Sequence, residues 1–275
     1  MSLQKTTLAE GYDRSALLYD QLVGASYVAG VRRLLAQHPV PPGASILDVG
    51  TGTGIALFEA MRQAGRTSLA IGVDLAPNMV LRATAKAMSM GLPARFFVAD
   101  AEHLPFPDAT FDVAICSSAF HWFTDRVAAA REMLRVLKPG GRLLLVSASA
   151  PCGWEWFVAM MAAARLVTGR LDALQVPNLP SPEAVAASLM AAGFQILAAN
   201  PTMHRTPMDP AAMTGMMSLV VPNWNAKMDP TTSSRVAELG NRILSMKQSS
   251  GGNYTWTAVE IVAVRPLLSL PSRAF

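Results

Sequence analysis

The chain has 275 residues, 51% of them hydrophobic and 15% charged, a balance that excludes a disordered protein and allows one large buried core. Its formal charge of +4 divides evenly, with 14 Lys+Arg against 12 Asp+Glu in residues 1–150 and 9 against 7 in 151–275, so the concentrated positive face of a nucleic-acid binder is not expected. No apolar run approaches the ~18 residues of a membrane span, the first residues lack a secretory pattern, and two cysteines, Cys116 and Cys152, make neither a disulfide framework nor a four-ligand zinc site. A cytoplasmic protein is expected, with neither membrane nor nucleic acid as partner.

Residues 1–44 read as one or two amphipathic helices, ended by the prolines and glycine of "HPVPPGAS". From there short apolar runs alternate with helical stretches. Strands are predicted at 45–50, 69–74, 94–99, 111–116 and 141–148, and helices at 54–64, 77–90 and 124–137, the last ended by "KPGG". The runs are continuously apolar, as in strands buried on both faces of a parallel sheet. Further on, "WEWFVAMMAAARLV" within 151–180 predicts a helix. Ser181, Pro182 and Gly193 are the cap, first-turn proline and stop of another. Strands at about 194–199 and 254–266 complete the pattern.

The stretch "ILDVGTGTG" turns on Gly50, Gly52 and Gly54 at the end of the first strand. The dinucleotide fingerprint would need a further glycine at position 55 or 57, where Ile55 and Leu57 stand. A P-loop would need a lysine after Gly54, where Ile55 again stands. No cation lies nearby in sequence to offset a phosphate. Asp74 ends the second strand, where a carboxylate can accept from two ribose hydroxyls. Asp100 ends the third, where its side chain and a backbone amide could read an adenine edge. Together these describe a nucleoside site without a phosphate site, which S-adenosylmethionine (SAM) would fit.

In order and spacing, "ILDVGTGTG", "GVDLAPNMV", "VADAEHLPFPDATFD" and "MLRVLKPGGRLLLV" resemble the class I SAM-dependent methyltransferases, in the broad group that includes the ubiquinone and menaquinone methyltransferases. The resemblance implies an α/β, Rossmann-like fold with helices on both faces of a seven-stranded sheet, the last strand antiparallel and supplied by 258–264. It implies a helical cofactor cover at 1–44 and a catalytic domain at 45–275, whose partly helical substrate lid lies at about 151–180 and 200–253. It further implies SAM as cofactor and S-adenosylhomocysteine as product. Asp48 and Gly50 would line the methionine end, with Gly52 and Gly54 allowing close approach and Thr51 standing where Cys, Ala or Ser is commoner. Asp74 would hold the ribose, with Leu75 and Met79 near the adenosine and Asp100 and Ala101 at the adenine. Tyr19 would cover the cofactor, and Ser117 would stand near the methyl.

"CSSAFHWF" (116–123) follows the fourth strand, where ligands of open parallel sheets bind. His121 is the candidate catalytic residue, as a base that takes the acceptor's proton. Its other reading is as a substrate-binding wall beside Trp122. Trp154, Trp156, Met217 and Trp224 are candidate substrate contacts, since Met and Trp make an adaptable apolar surface; packing under ordinary helices is their other reading. No metal spacing occurs. The expected acceptor is a fairly apolar small molecule, free or carrier-bound, methylated at a hydroxyl or carboxyl oxygen. Carbon or nitrogen methylation is one alternative and a non-catalytic SAM-binding partner another. A nicotinamide oxidoreductase is disfavoured by the missing glycine. The sequence leaves the oligomeric state open.

Overall fold

The computed structural model describes residues 3–149, 154–170, 179–206, 210, 214, 228–249 and 254–267. A single long helix, α1 (Leu3–Gln37), fills the region read as one or two helices. It is followed by β1 (Ser45–Val49), α2 (Ile55–Ala64), β2 (Leu69–Asp74), α3 (Pro77–Met90), β3 (Arg95–Val98) and β4 (Phe111–Ser117). Then come a 3-10 turn (Phe120–Trp122), α4 (Arg126–Val136), β5 (Leu137–Ala148), α5 (Trp154–Thr168), α6 (Pro182–Ala192), β6 (Gln195–Thr206), α7 (Pro230–Ser249) and β7 (Tyr254–Val264).

The seven strands form one sheet in the order β3-β2-β1-β4-β5-β7-β6. Neighbours from β3 to β5 pair in parallel, and β7 runs antiparallel to both β5 and β6. Order therefore reverses between β1 and β4, which opens a crevice at the carboxyl ends of those strands. Every residue of β1 is buried, because α4 and α6 cover one face of the sheet and α2 with the second half of α1 cover the other. A further apolar cluster joins α5 to α7 through Trp156, Met160, Val236 and Leu244, with Trp122 packed against it.

Local chemistry sets the helix ends. Asp125 Oδ1 accepts the Ala128 N–H at 2.9 Å to start α4, and Ser181 Oγ accepts the Ala184 N–H at 3.2 Å to start α6. Two boundaries differ by several residues from the sequence expectation. Strand β5 begins at Leu137 rather than 141: Leu137 pairs with Phe111, and a register irregularity lets the Lys-Pro-Gly-Gly stretch rejoin the ladder at Arg142. Strand β6 runs on past Pro201 to Thr206. It is an edge strand, where a missing backbone donor is tolerated.

Candidate active site

The loop after β1 is the floor of the site. Gly50, Gly52 and Gly54 all have positive φ, of 71°, 53° and 88°. At Gly50 the reason is also steric, since a Cβ there would lie 2.3 Å from the Ala119 Cβ. The N–H groups of Gly50 and Thr51 both donate to the Val73 carbonyl at 2.9 Å, tying the turn to β2. Asp74 completes the tie. Its Oδ2 accepts the Gly52 N–H at 2.8 Å and its Oδ1 accepts the Ala76 N–H at 2.9 Å. Burial raises the Asp74 pKa above the usual carboxylate value despite those bonds.

Asp48 is 1% exposed. Its Oδ2 accepts from the Thr51 hydroxyl at 2.7 Å, and its Oδ1 has no partner among the described residues. Burial pushes its pKa up to about 7, with the neighbouring Asp74 charge adding to the rise. Lys86 approaches the turn, 3.3 Å from Thr53 Oγ1, but it is shared with Asp20 at 3.1 Å. The cradle therefore offers one buried and one partly buried acid, bare backbone and no free cation among the described residues. Such a surface favours a cationic guest and disfavours a pyrophosphate.

Helix α1 forms the opposite wall. Lys5, Leu8, Tyr12 and Tyr19 line the same cavity, at intervals of three, four and seven that place them along one helix face. Lys5 Nζ bridges Asp100 Oδ2 at 2.7 Å and Glu102 Oε2 at 2.6 Å. Burial opposes ionisation of Asp100, yet the Lys5 bond and charge, with the Glu102 N–H, hold its carboxyl below the usual range. Farther along, Asp13 accepts the Asn78 N–H at 2.7 Å and Asp20 accepts the Thr53 hydroxyl at 2.5 Å. Lys5, Tyr12 and Glu102 were not singled out from the sequence. The helical spacing of the apolar α1 residues was the available signal.

The cavity spans about 1060 Å³ of space, part of it open to solvent. Tyr19, Asp48, Gly50, Thr51, Gly52, Asp74, Leu75, Met79, Asp100, Ala101, Ser117 and Trp122 all line it. Gly54 caps α2 just beyond the lining, its N–H donating to the Thr51 carbonyl at 2.9 Å.

His121 and Trp156 lie outside the lining. His121 is 9% exposed and packs against Trp122, the rings tilted at 45° with centroids 4.9 Å apart. Its Nδ1 accepts the Ala148 N–H at 3.3 Å. Burial, with help from the Arg126 charge, pushes its pKa down to about 3. A neutral imidazole whose Nδ1 accepts carries its proton on Nε2, so neither nitrogen is free to take another. Trp156 is 2% exposed in the α5–α7 core, and its indole N–H donates to Thr214 Oγ1 at 3.0 Å. The side chain of Trp154, and the whole of Met217 and Trp224, lie outside the described residues. Among the described residues no group of three His, Cys, Asp or Glu could hold a metal, and no helix is long and apolar enough to cross a membrane.

A sheet of this order, with an acidic, phosphate-averse cradle at its switch point, defines an α/β protein built to hold a nucleoside. Residues 47–145 match the methyltransferase domain family. The chain is similar to the demethylmenaquinone methyltransferase of Thermus thermophilus, with 38% identity over 55% of this chain and 74% of that protein. It is also similar to the ubiquinone/menaquinone biosynthesis C-methyltransferase UbiE of Azotobacter vinelandii, with 31% identity over 69% and 79%. The nocamycin O-methyltransferase of Saccharothrix syringae has 32% identity over 66% and 70%. Among solved structures, the cyclase SpnF superposes with a TM-score of 0.57 at 23% identity, over 87% of this chain and 82% of that one, a likeness of fold alone. The chain belongs to the class I SAM-dependent methyltransferases, enzymes whose cofactor is S-adenosylmethionine. The orphaned Asp48 oxygen and the backbone cradle at Gly50 fit that cofactor.

Proposed function

We propose that this enzyme methylates a small, largely apolar acceptor that reacts as a phenolate or enolate, with carbon as the receiving atom. When bound, SAM supplies an electrophilic methyl group on a sulfonium. In this reading Asp74 holds the ribose, and Asp100 and Ala101 meet the adenine. Asp48 and the Gly50–Gly52 backbone face the methionine end, while Tyr19 and Ser117 close the cofactor in. Trp122 is the wall shared with the acceptor.

One observation carries the choice of acceptor: among the described residues, the cavity has no base where the acceptor would sit. His121 is neutral, with Nδ1 engaged by Ala148, and the nearby carboxylates Asp48 and Asp74 belong to the cofactor cradle. Positioning and exclusion of water then supply the acceleration, and the acceptor brings its own negative charge. In a phenolate or enolate that charge is shared between oxygen and carbon.

The C-methyltransferase relative supports reaction at carbon, which moves the reading away from the oxygen expected from the sequence. The O-methyltransferase relative supports the oxygen end as the second reading. A carrier-bound acceptor has no counterpart among the three relatives described above.

The test is incubation with methyl-13C SAM and a panel of phenols, enols, quinols and carboxylic acids. A new carbon-bound methyl resonance on a quinol or enol is expected. A methoxy product selects the second reading. Tight SAM binding by calorimetry, with no transfer to any member, would favour the non-catalytic alternative and sink the proposal.

A further inference from the structure

Ser118 directly follows β4 in a backbone conformation that serine rarely takes. Its φ is +58°, and among the described residues the only other non-glycine with positive φ is Ala109. Ala109 is exposed in a turn, whereas Ser118 is 9% exposed and lines the cavity beside Ser117. The Ser118 N–H donates to the Val146 carbonyl at 2.7 Å, which fixes the residue in place. Its hydroxyl has no hydrogen-bond partner among the described residues and is buried.

Both features work against folding. A glycine would adopt this backbone without strain, and a buried hydroxyl without a partner loses its hydration for nothing. Strain of this kind persists where it serves a site. A bound guest would restore the missing partner, since rotation about χ1 carries the Oγ among three staggered positions.

The neighbours indicate which guest. Asp48 and Asp74 stand at the carboxyl ends of β1 and β2, where the cofactor is expected. Ser118 stands on the β4 side with Ala119, Trp122 and Phe123, a largely apolar wall flanked by Ser117 and Thr124. A buried neutral O–H donor without a partner on such a wall suits an oxyanion, which it stabilises without surrendering its proton.

We propose that the Ser118 hydroxyl donates the hydrogen bond that holds the ionised oxygen of the acceptor and so aims its nucleophilic atom at the methyl group. This rests on the phenolate or enolate reading above and adds a specificity-determining contact to it. Acceptors without an oxygen at that position would be poor substrates.

The experiment compares wild type with Ser118→Gly and Ser118→Ala, using the panel member that wild type methylates fastest. Calorimetry reads SAM affinity, steady-state kinetics read kcat and KM, and a pH–rate profile reads ionisation of the bound acceptor. Both variants should bind SAM as wild type does, and Ser118→Gly should melt no lower. In both, kcat should fall by about 10²-fold, the lower end of the range for removal of one oxyanion donor. The rising alkaline limb of kcat should move to higher pH, because the bound acceptor ionises less readily. Unchanged kcat and pH profile would overturn the proposal. So would a loss of SAM affinity in step with activity, which would give the hydroxyl to the cofactor. Wild type that binds no SAM, or methylates nothing in the panel, is a separate failure and belongs to the underlying reading.

Discussion

The backbone N–H of Ala148 donates to His121 Nδ1 at 3.3 Å, across 27 residues of sequence. That bond, with burial, keeps the imidazole neutral, and the consequence for stability has a definite sign. The folded pKa of about 3 lies below the ordinary 6.5, so between those values the unfolded chain binds a proton that the folded chain refuses. The contribution of His121 is complete above pH 6.5 and is lost as the pH falls through the window, at up to about 1.4 kcal/mol per unit. His121→Asn keeps an acceptor for Ala148 without the titration. Its stability, measured by chemical denaturation, should fall less steeply than that of wild type from pH 6.5 to 4. His121→Phe leaves the Ala148 N–H unpaired and should cost about 1–3 kcal/mol at pH 7.5. Removal of a general base would lower kcat by about 10²–10⁴-fold. His121→Asn should show no such deficit, and one of that size would restore the base.

Asp48 titrates in the opposite sense. Its folded pKa of about 7 exceeds the ordinary 3.8, so the folded chain holds a proton that the unfolded chain has released. That stability is complete below pH 3.8 and is lost as the pH rises through 7. Asp48→Asn cannot ionise, so its stability relative to wild type should improve from pH 5 to 7, at up to about 1.4 kcal/mol per unit, and level off above pH 7 where the carboxyl is ionised in both states. Its affinity for the cationic cofactor should fall about tenfold or more at pH 8, or about 1.4 kcal/mol. The deficit should shrink at pH 5, where the wild-type carboxyl is itself protonated. Calorimetry at the two pH values checks both halves.

The parts of the fold written in local sequence were readable in advance. Continuous apolar runs marked β1 and β2, and Ser181, Pro182 and Gly193 marked α6 to the residue. The glycines and the acids at strand ends marked the floor of the cavity for the same reason, since turn geometry and strand-tip carboxylates are properties of short segments. What escaped depends on long-range pairing. The early start of β5 is set by Leu137 meeting Phe111. The engagement of His121 needs Ala148, and the Lys5 bridge to Asp100 spans 95 residues. Trp156 looked like a pocket residue because its aromatic and Met-rich neighbours suit either a pocket or a helix–helix core. Only the packing of α5 on α7 separates the two.

Gly50 should tolerate no side chain. An alanine there would combine a φ of +71° with a Cβ 2.3 Å from Ala119 Cβ, and Ala119 has a backbone held by the Trp122 N–H at 2.9 Å. Gly50→Ala should lose about 2 kcal/mol or more of stability together with detectable SAM binding. Gly43 has a φ of +80° with nothing within 4 Å of the added Cβ. Gly43→Ala is therefore the control: it carries the strain without the clash and should keep SAM affinity.

Trp156 should behave as core. Trp156→Ala empties a site that is 2% exposed and should cost about 3–5 kcal/mol. Trp156→Phe should be far milder, because Thr214 keeps Asn241 Oδ1 as a hydrogen-bond partner at 2.6 Å. With Trp156→Phe folded, kcat and the acceptor KM should match wild type. A KM change confined to the acceptor would return Trp156 to the pocket.

Lys5 ties the first turns of α1 to the loop after β3, and the tie is only partly hydrated, with side-chain exposures of 12% for Lys5, 27% for Asp100 and 11% for Glu102. If α1 must move for the cofactor to enter and leave, this bridge sets part of the barrier to exit. Lys5→Met keeps an aliphatic side chain and removes the charge. SAM dissociation should then speed up by about 3–10-fold with little change in association, since altered contacts act mainly on off-rates. The global melting temperature should hardly move, because such pairs contribute about 1 kcal/mol or less. Salt supplies the discriminating control. At 1 M, where the screening length is about 3 Å, the wild-type off-rate should rise toward that of Lys5→Met. Equal off-rates at low salt would mean that α1 opens without breaking this bridge.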